Sequence, residues 1–243
     1  MFEIIPAIDL IDGKCVRLAQ GDFARKKIYD ENPVEVAKTF EGFGIKRLHV
    51  VDLDGAKRGK LANVHILREI ARGTDLTIDF GGGIKTDDDI QAIFEAGAGL
   101  ANIGSTAVRE PDKFLAWINE YGGEKILLGA DVKDEKIAVN GWQTKTDLQI
   151  VPFLRTYRAK GVTQAFVTDI AKDGVLQGPS VELYRGILNA LPGLKLIASG
   201  GVSSISDIEE LEQIGCSGAI IGKAIYEGLI NLGELIRRKY HAG

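Results

Sequence analysis

The amino-acid sequence predicts a single eight-stranded (β/α)8 barrel, and three observations support this fold. The chain has 243 residues, close to the roughly 250 residues of a typical barrel of this kind. Short runs rich in Val, Ile, Leu and Ala alternate with amphipathic stretches, which is the pattern of parallel strands covered by helices. Motifs also recur about half a chain length apart. We therefore expect one barrel domain over residues 1–243.

Eight apolar runs are the predicted strands, and each precedes a helical pattern. The strands are predicted at Glu3–Asp9, Arg47–Asp52, Leu76–Phe80, Ala101–Gly104, Lys125–Asp131, Gln164–Asp169, Lys195–Ser199 and Ala219–Gly222. The helices are predicted at about 33–43, 63–72, 87–96, 111–120, 147–160, 180–190, 204–214 and 231–239. An open, doubly wound sheet normally carries a glycine fingerprint after its first strand, where this chain has Ile8-Asp9-Leu10. The α/β pattern therefore favours a TIM barrel.

The two halves of the chain repeat one another. Gly83 matches Gly201 and Gly104 matches Gly222, each pair 118 positions apart. Two further registers of similar length, 122 and 117, pair Asp9 with Asp131 and Asp52 with Asp169. Offsets near half the length are typical of a tandem duplication. We expect two half-barrels, about 1–122 and 123–243, related by an approximate twofold axis.

Composition excludes several classes of protein. The chain is 45% hydrophobic and 26% charged, with a formal charge of −4 and scattered basic residues. This distribution argues against nucleic-acid binding by bulk electrostatics. No apolar stretch approaches the roughly 18 residues of a membrane span, and the first residues lack the pattern of a secretory signal. Cys15 and Cys216 lie far apart, which fits a reducing compartment. We expect a cytoplasmic protein that does not bind membranes.

Four aspartates stand at predicted strand ends, where active sites of such barrels are built. They are Asp9, Asp52, Asp131 and Asp169. Asp9 and Asp131 are four units apart, so closing the ring places them on opposite sides of the mouth. Two opposed carboxyl groups suit a reaction in which one removes a proton and the other donates one. A strand-end Asp also commonly caps the next loop or helix, and the half-chain match favours the catalytic interpretation for this pair.

Two glycine motifs predict anion sites at the same rim. Glycines after a strand let backbone N–H groups approach an anion, and a following helix N-terminus adds to the attraction. The first glycine cradle consists of Gly82, Gly83, Gly104 and Ser105. The second glycine cradle consists of Ser199, Gly200, Gly201, Gly222 and Lys223. Two opposed cradles predict an elongated small molecule with a phosphate at each end.

Further candidates lie in the predicted loops at the rim. Thr168 precedes a strand-end Asp, while Asp173 and Gly174 lie in a loop long enough to cover the mouth. Arg17 and Trp142 follow the first and fifth strands. The three histidines, His49, His65 and His241, offer little, and no His or Cys cluster has metal-ligand spacing. We expect chemistry carried by carboxylates, with neither metal nor cofactor.

The motifs together resemble a known family, the histidine-biosynthesis isomerases that act on phosphoribosylformimino aminoimidazole carboxamide ribotide. The resemblance covers essentially the whole chain. It rests on Ile5-Pro6-Ala7-Ile8-Asp9-Leu10, Asp12-Gly13-Lys14, Val16-Arg17-Leu18, Gln20-Gly21-Asp22, His49-Val50-Val51-Asp52-Leu53-Asp54-Gly55-Ala56, Gly81-Gly82-Gly83-Ile84, Asn140-Gly141-Trp142, Thr168-Asp169-Ile170, Asp173-Gly174 and Ser199-Gly200-Gly201-Val202.

This resemblance implies an Amadori rearrangement of an aminoaldose to an aminoketose, on a substrate with two phosphates. It implies that Asp131 is the general acid for ribose ring opening and Asp9 the base acting at C2, with Thr168 and Asp173 supporting the intermediate. The chain departs from the family at Lys85 and Lys133, where Arg is frequent. Lys85 keeps the positive charge but lacks the planar guanidinium that makes a bidentate contact. We expect a monomer.

A dual-substrate variant that also isomerises phosphoribosylanthranilate stays open from the sequence, and so do two other functions. The cyclase subunit of imidazole glycerol phosphate synthase shares the duplication and both phosphate sites, but its opening reads closer to Ile-Pro-Cys-Leu-Asp. A non-catalytic phosphosugar-binding barrel is the alternative from another class. It would gain nothing from two carboxylates facing a doubly anionic ligand, so the retention of Asp9 and Asp131 argues against it.

Overall fold

Eight parallel strands form a closed ring in the computed structural model, which describes residues 2–19, 22–139, 141–142 and 144–241. Strands in chain order are β1 Glu3–Ile11, β2 Lys14–Ala19, β3 Asp22–Asp30, β4 Arg47–Asp52, β5 Thr77–Gly81, β6 Leu100–Ile103, β7 Ile126–Lys133, β8 Lys136–Val139, β9 Thr144–Gln149, β10 Gln164–Asp169, β11 Lys195–Ser199 and β12 Gly218–Ile221. The ring runs β1, β4, β5, β6, β7, β10, β11, β12 and returns to β1. The predicted TIM barrel is confirmed, and each predicted strand lies within two residues of an observed one.

Helices cover the outside of the ring. They are α1 Pro33–Gly42, α2 Leu53–Arg58, α3 Val64–Gly73, α4 Asp87–Glu95, α5 Ser105–Arg109, α6 Pro111–Tyr121, α7 Ile150–Arg158, α8 Val181–Ala190, α9 Ile205–Gln213, α10 Lys223–Tyr226 and α11 Leu232–His241. Eight of them match the predicted helices. The short helices α2, α5 and α10 were not predicted, because four to six residues are too few to establish a helical period. None of the helices in the described ranges has the length and apolar character that crossing a membrane requires.

Two antiparallel hairpins extend the barrel at its mouth, and the sequence did not predict them. β2 and β3 follow β1, while β8 and β9 follow β7. Asp9 pairs with Val16 in the first hairpin, and Asp131 pairs with Ala138 in the second. The second hairpin also corrects the predicted helix at 147–160, which begins at Ile150 because residues up to Gln149 belong to β9.

The apolar core has two layers, which explains the near-continuous apolar strands. One layer fills the inside of the ring and the other lies between the strands and the helices. Inside the ring are Ile5, Ala7, Leu100, Leu127, Phe166, Ile197 and Ile220. These side chains make a packed floor, so the space available to a small molecule lies above them, at the carboxyl ends of the strands.

Candidate active site at the barrel mouth

A cavity of about 750 Å³ opens at the carboxyl ends of the strands. We call it the mouth cavity. Loops after all eight barrel strands contribute to its wall, so residues distant in sequence meet there. Every predicted site residue lines it: Asp9, Arg17, Gly82, Gly83, Gly104, Ser105, Asp131, Trp142, Thr168, Asp173, Gly174, Ser199, Gly200, Gly201, Gly222 and Lys223. Gln20, Gly21 and Asn140, quoted above in the family motifs, lie outside the described residues.

The four strand-end aspartates divide into two pairs. Asp52 is fully buried and accepts hydrogen bonds from the backbone N–H groups of Gly55 and Asn63 at 2.8 Å and from the Asn63 side chain at 2.7 Å. Asp169 accepts from the backbone of Ala171 at 2.9 Å and from the Ser180 hydroxyl at 2.5 Å. Asp52 and Asp169 thus hold loops together, whereas Asp9 and Asp131 face the mouth cavity.

Asp9 has a charged partner. Arg17, on β2, donates from Nη1 to the Asp9 carboxylate at 2.7 Å and from Nη2 to the backbone oxygen of Ala7 at 3.3 Å. The guanidinium also lies over the Tyr226 ring, 5.7 Å from its centroid. Burial works against the charge of Arg17, but Asp9, Tyr226 and Asp173 together outweigh it and hold the Arg17 pKa above its ordinary value. Arg17 and Asp9 therefore form an ion pair at the cavity wall.

Asp131 has neutral hydrogen-bond partners instead. Burial raises its pKa above the ordinary value, and hydrogen bonds from Trp142 and Thr168 and the proximity of His49 offset only part of this rise. Thr168 reaches Asp131 because the two residues are opposite one another in the parallel pair β7 and β10. A carboxyl group that retains its proton more readily than usual suits a general acid.

Asp173 lines the same cavity as these two carboxyl groups. Burial, with the nearby negative charges of Asp9 and Asp131, raises its pKa to about 6, although Arg17 and Lys223 work in the opposite direction. Lys223 also donates to the backbone oxygen of Gly174 at 2.7 Å, which ties the loop carrying Asp173 to the second glycine cradle. The mouth cavity thus gathers three carboxyl groups whose surroundings differ.

The glycine cradles have the backbone geometry that only glycine adopts easily. Gly82 and Gly83 have φ of 105° and 84°, and Gly200 and Gly201 have φ of 89° and 84°. A Cβ on Gly201 would lie 2.3 Å from the backbone oxygen of Gly178. After each turn, a capping box starts the next long helix, at Thr86 before α4 and at Ser204 before α9. Short helices α5 and α10 begin directly after Gly104 and Gly222.

The sequence interpretation missed His49, which lines the mouth cavity. Its Nδ1 lies 2.5 Å from the buried carboxylate of Asp79, which Arg47 also contacts at 3.1 Å. Although burial alone would raise the pKa of Asp79, His49 and Arg47 hold it below the usual value. A signal was available: polar residues at alternate positions of a buried strand, 47 and 49, point to one face, here the inside of the ring.

Other missed residues are mainly basic. Asn102 and the cations Lys57, Arg58 and Arg109 join Lys85 on the wall near the first glycine cradle. Lys57, Arg58 and Arg109 were missed because they lie on α2 and α5, which were not predicted as helices at the mouth. Among the described residues, no three His, Cys, Asp or Glu side chains are grouped as a metal ion would require.

Comparison with known proteins places this geometry in a family. A family model described as "Histidine biosynthesis protein" matches residues 3–231. The chain belongs to the histidine biosynthesis protein family. The resemblance deduced from the motifs is thereby confirmed.

Relatives within the histidine biosynthesis family are named as 1-(5-phosphoribosyl)-5-((5-phosphoribosylamino)methylideneamino)imidazole-4-carboxamide isomerases. That of Parabacteroides distasonis is 57% identical over 98% of this chain and 99% of the relative. That of Flavobacterium johnsoniae is 57% identical over 96% of this chain and 97% of the relative. A third, from Bacteroides fragilis, is 58% identical over 97% of this chain and 98% of the relative. The similarity thus covers both glycine cradles and both hairpins.

Proposed function

We propose that this chain is an isomerase of histidine biosynthesis that converts the aminoaldose named for its relatives into the corresponding aminoketose by an Amadori rearrangement. The observation that carries the proposal is the pair of opposed carboxyl groups at the mouth, one ion-paired with Arg17 and the other buried with neutral partners. Such a pair provides a base and an acid at one site. Membership of the family supplies the substrate class.

In this mechanism Asp131 begins the reaction as the acid. Its proton passes to the ring oxygen of the ribose as the bond from that oxygen to C1 breaks, which leaves an iminium group at C1. Asp9 then removes the proton from C2 of the opened sugar and forms an enolamine. Loss of the C2 hydroxyl proton and gain of a proton at C1 complete the ketose. Protons alone are exchanged, so the rearrangement calls for neither a metal nor a redox cofactor.

Three neighbours support this acid and base. Trp142 and Thr168 hydrogen-bond Asp131 and fix its carboxyl group. Asp173, with its pKa of about 6, is positioned by the loop that Lys223 holds, and the charges of Asp9 and Asp131 act on it. We assign Asp173 to the intermediate, where a carboxylate stabilises the cationic iminium group.

The two phosphates of the substrate occupy the two glycine cradles. Left-handed glycines expose backbone N–H groups there without a Cβ in the way. Lys223 supplies positive charge at the second cradle, and Lys85 and Arg109 supply it at the first. Gripping the substrate at both ends places the ribose that opens at the centre, between Asp9 and Asp131.

We further propose that the chain acts as a monomer in the cytoplasm. A single chain supplies residues from loops after all eight strands to the mouth cavity, so catalysis calls for no second subunit. Cys15 and Cys216 are both buried and free, which suits a reducing compartment. Sedimentation of the purified protein at micromolar concentration tests the first statement.

The decisive experiment is conversion of the aminoaldose ribotide by the purified chain, without added metal or ammonia, followed by chromatographic separation of aldose and ketose. We expect ketose from the wild type. Asp9→Asn and Asp131→Asn should each lower kcat by about 10²- to 10⁴-fold, as for loss of a general base or acid, while substrate still binds. Asp147→Asn, at a fully exposed carboxylate on β9, is the matched control and should leave kcat unchanged.

An absence of ketose with the wild type would overturn this function. The same enzyme would then be tested with the aminoketose and ammonia, which is the reaction of the cyclase alternative. Tight binding of the aminoaldose with turnover in neither assay would instead indicate a phosphosugar-binding barrel.

A further inference from the structure

Arg17 faces two parts of the site at once. Its Nη1 donates to Asp9 at 2.7 Å, while its opposite edge, formed by Nε and Nη2, faces Gly222 of the second glycine cradle. The guanidinium is so close that a Cβ on Gly222 would lie 1.5 Å from Nη2 and 2.7 Å from Nε. One cation therefore connects the proposed base with a proposed phosphate site.

The edge of Arg17 that faces the cradle retains hydrogen-bonding capacity. Nη2 makes a long contact of 3.3 Å to the backbone oxygen of Ala7. Nε is buried and has no hydrogen-bond partner among the described residues. A buried donor without an acceptor is costly, and a planar Nε and Nη2 edge matches two oxygens of a tetrahedral anion. The geometry points to an anion as the missing acceptor.

We propose that Arg17 couples the second glycine cradle to Asp9, so that a phosphate held by the cradle draws the guanidinium charge away from the base and activates it. The coupling rests on the proposed function, since it assumes that Asp9 is the base. Two anions competing for one cation each see less of its charge. A substrate that carries the phosphate would therefore strengthen its own base on binding, whereas a molecule without the phosphate would meet a base that Arg17 restrains.

Other groups around Arg17 and Asp9 do not obscure this effect. Tyr226 and Cys15 are buried, which holds the Tyr226 pKa well above 10 and raises the Cys15 pKa to about 11, so both stay neutral near pH 7. Asp173 and Asp131 face the same space. Their titrations are followed as separate resonances.

The test measures the titration of Asp9 directly, by NMR of the protein labelled with ¹³C at the aspartate carboxyl carbons, with Asp9→Asn giving the assignment. Sulfate is the probe because it stays a tetrahedral dianion throughout the titration, and sodium chloride of equal ionic strength is the reference. We expect sulfate to raise the Asp9 pKa by about one unit, the lower end of what a neighbouring cation exerts on a carboxylate.

Three variants sharpen the test. In Arg17→Met, Asp9 should titrate without sulfate at the pH where the wild-type Asp9 titrates with sulfate. Added sulfate should then shift the Asp9 titration no further. Arg17→Lys, which retains a charge without the planar edge, should respond only in part. Arg109→Met removes a cation from the wall near the first glycine cradle, on the opposite side, and should retain the full Asp9 response. Far-ultraviolet circular dichroism establishes that each variant is folded.

The coupling is overturned if sulfate shifts the backbone amide signals of Gly201 and Gly222 but leaves the Asp9 titration where it is in chloride. It is equally overturned if sulfate shifts neither amide, because no anion then binds at the guanidinium edge. Turnover of the aminoaldose by the same sample separates the two proposals. Ketose formation without the Asp9 shift rejects only the coupling, and the shift without ketose rejects only the isomerase.

Discussion

The two halves of the barrel carry the same carboxylate in the same hairpin geometry but surround it differently. Asp9 is opposite Val16 and Asp131 is opposite Ala138, so the two hairpins have the same register. The next residue along the second strand of each hairpin is Arg17 in the first half and the buried Val139 in the second. A cation therefore contacts Asp9, whereas Asp131 relies on Trp142 and Thr168.

A symmetric scaffold thus surrounds the same residue type in two ways, one of which suits the proposed base and the other the proposed acid. The backbone places both carboxyl groups at the mouth, but only Asp9 has a cation at the neighbouring position, whereas burial raises the pKa of Asp131. Paired left-handed residues, such as Asp12 and Asp134 at φ of 51° and 52°, support the tandem duplication, which stays a prediction.

The two cradles differ in how tightly the backbone is packed at one matched position, Gly82 in the first and Gly200 in the second. A Cβ on Gly82 would lie 2.2 Å from the backbone oxygen of Asp52, but one on Gly200 would lie 3.2 Å from that of Asp169. We expect Gly82→Ala to lower the free energy of unfolding by about 3 kcal/mol, and Gly200→Ala by about 1 kcal/mol, because only the first forces backbone to move. Urea unfolding followed by circular dichroism measures both.

The matched control for these two variants is Gly228→Ala. Gly228 has φ of 72° but no atom within 4 Å of an added Cβ, so it reports the cost of the left-handed conformation alone. Equal losses for Gly82→Ala and Gly200→Ala would contradict the difference between the cradles.

Asp173→Asn should stabilise the protein at neutral pH while lowering its kcat. The folded-state pKa of about 6 exceeds the ordinary Asp value of 3.8, so this group favours folding fully below about pH 4 and loses that contribution as pH rises through 6. The free energy of unfolding of the variant should therefore exceed that of the wild type by at most about 3 kcal/mol at pH 7.5, and the two should not differ in this way at pH 4. Urea unfolding at both pH values checks this, and a variant less stable at pH 7.5 would contradict it.

Thr168→Val tests the neutral partners of Asp131. Losing a hydrogen bond to the carboxylate should raise the Asp131 pKa further, since that bond favours the charged form. We expect the alkaline limb of the kcat/KM profile to move up by about one pH unit, with the acid limb, which reports the base, unchanged. Trp142→Phe should move the same limb in the same direction. Movement of the acid limb instead would show that Thr168 acts on Asp9.

The smallest expected effect concerns the attachment of the two hairpins. Lys27 of the first hairpin pairs with Glu227, after α10, at 2.8 Å. Lys145, on β9 of the second hairpin, pairs at 2.6 Å with Asp134 in the turn between β7 and β8. Glu227→Gln should speed amide hydrogen exchange in β2 and β3 by about two- to fivefold, as exposed ion pairs contribute little, and leave β8 and β9 unchanged. Lys145→Gln is the control, and equal acceleration of both hairpins would contradict a local attachment.

Much of the site followed from the sequence because of where residues stand relative to strands. Once eight strands were located, every strand-end residue was assigned to one rim, and both glycine cradles followed from the half-chain repeat. His49 and Arg109 could not be found in this way. The first required knowing which strand face points inward, and the second lies on α5, which has only five residues.

The sequence by itself determined the fold class, the rim and the residue types that meet there, because periodicity and strand ends are local properties of the chain. The tertiary structure decided which groups surround each carboxyl group. Asp52 and Asp169 stand at strand ends as Asp9 and Asp131 do. The carboxylates of Asp52 and Asp169, however, accept hydrogen bonds from backbone N–H groups and a hydroxyl. Charge, burial and hydrogen bonding depend on neighbours from other strands, and only closure of the ring brings those neighbours together.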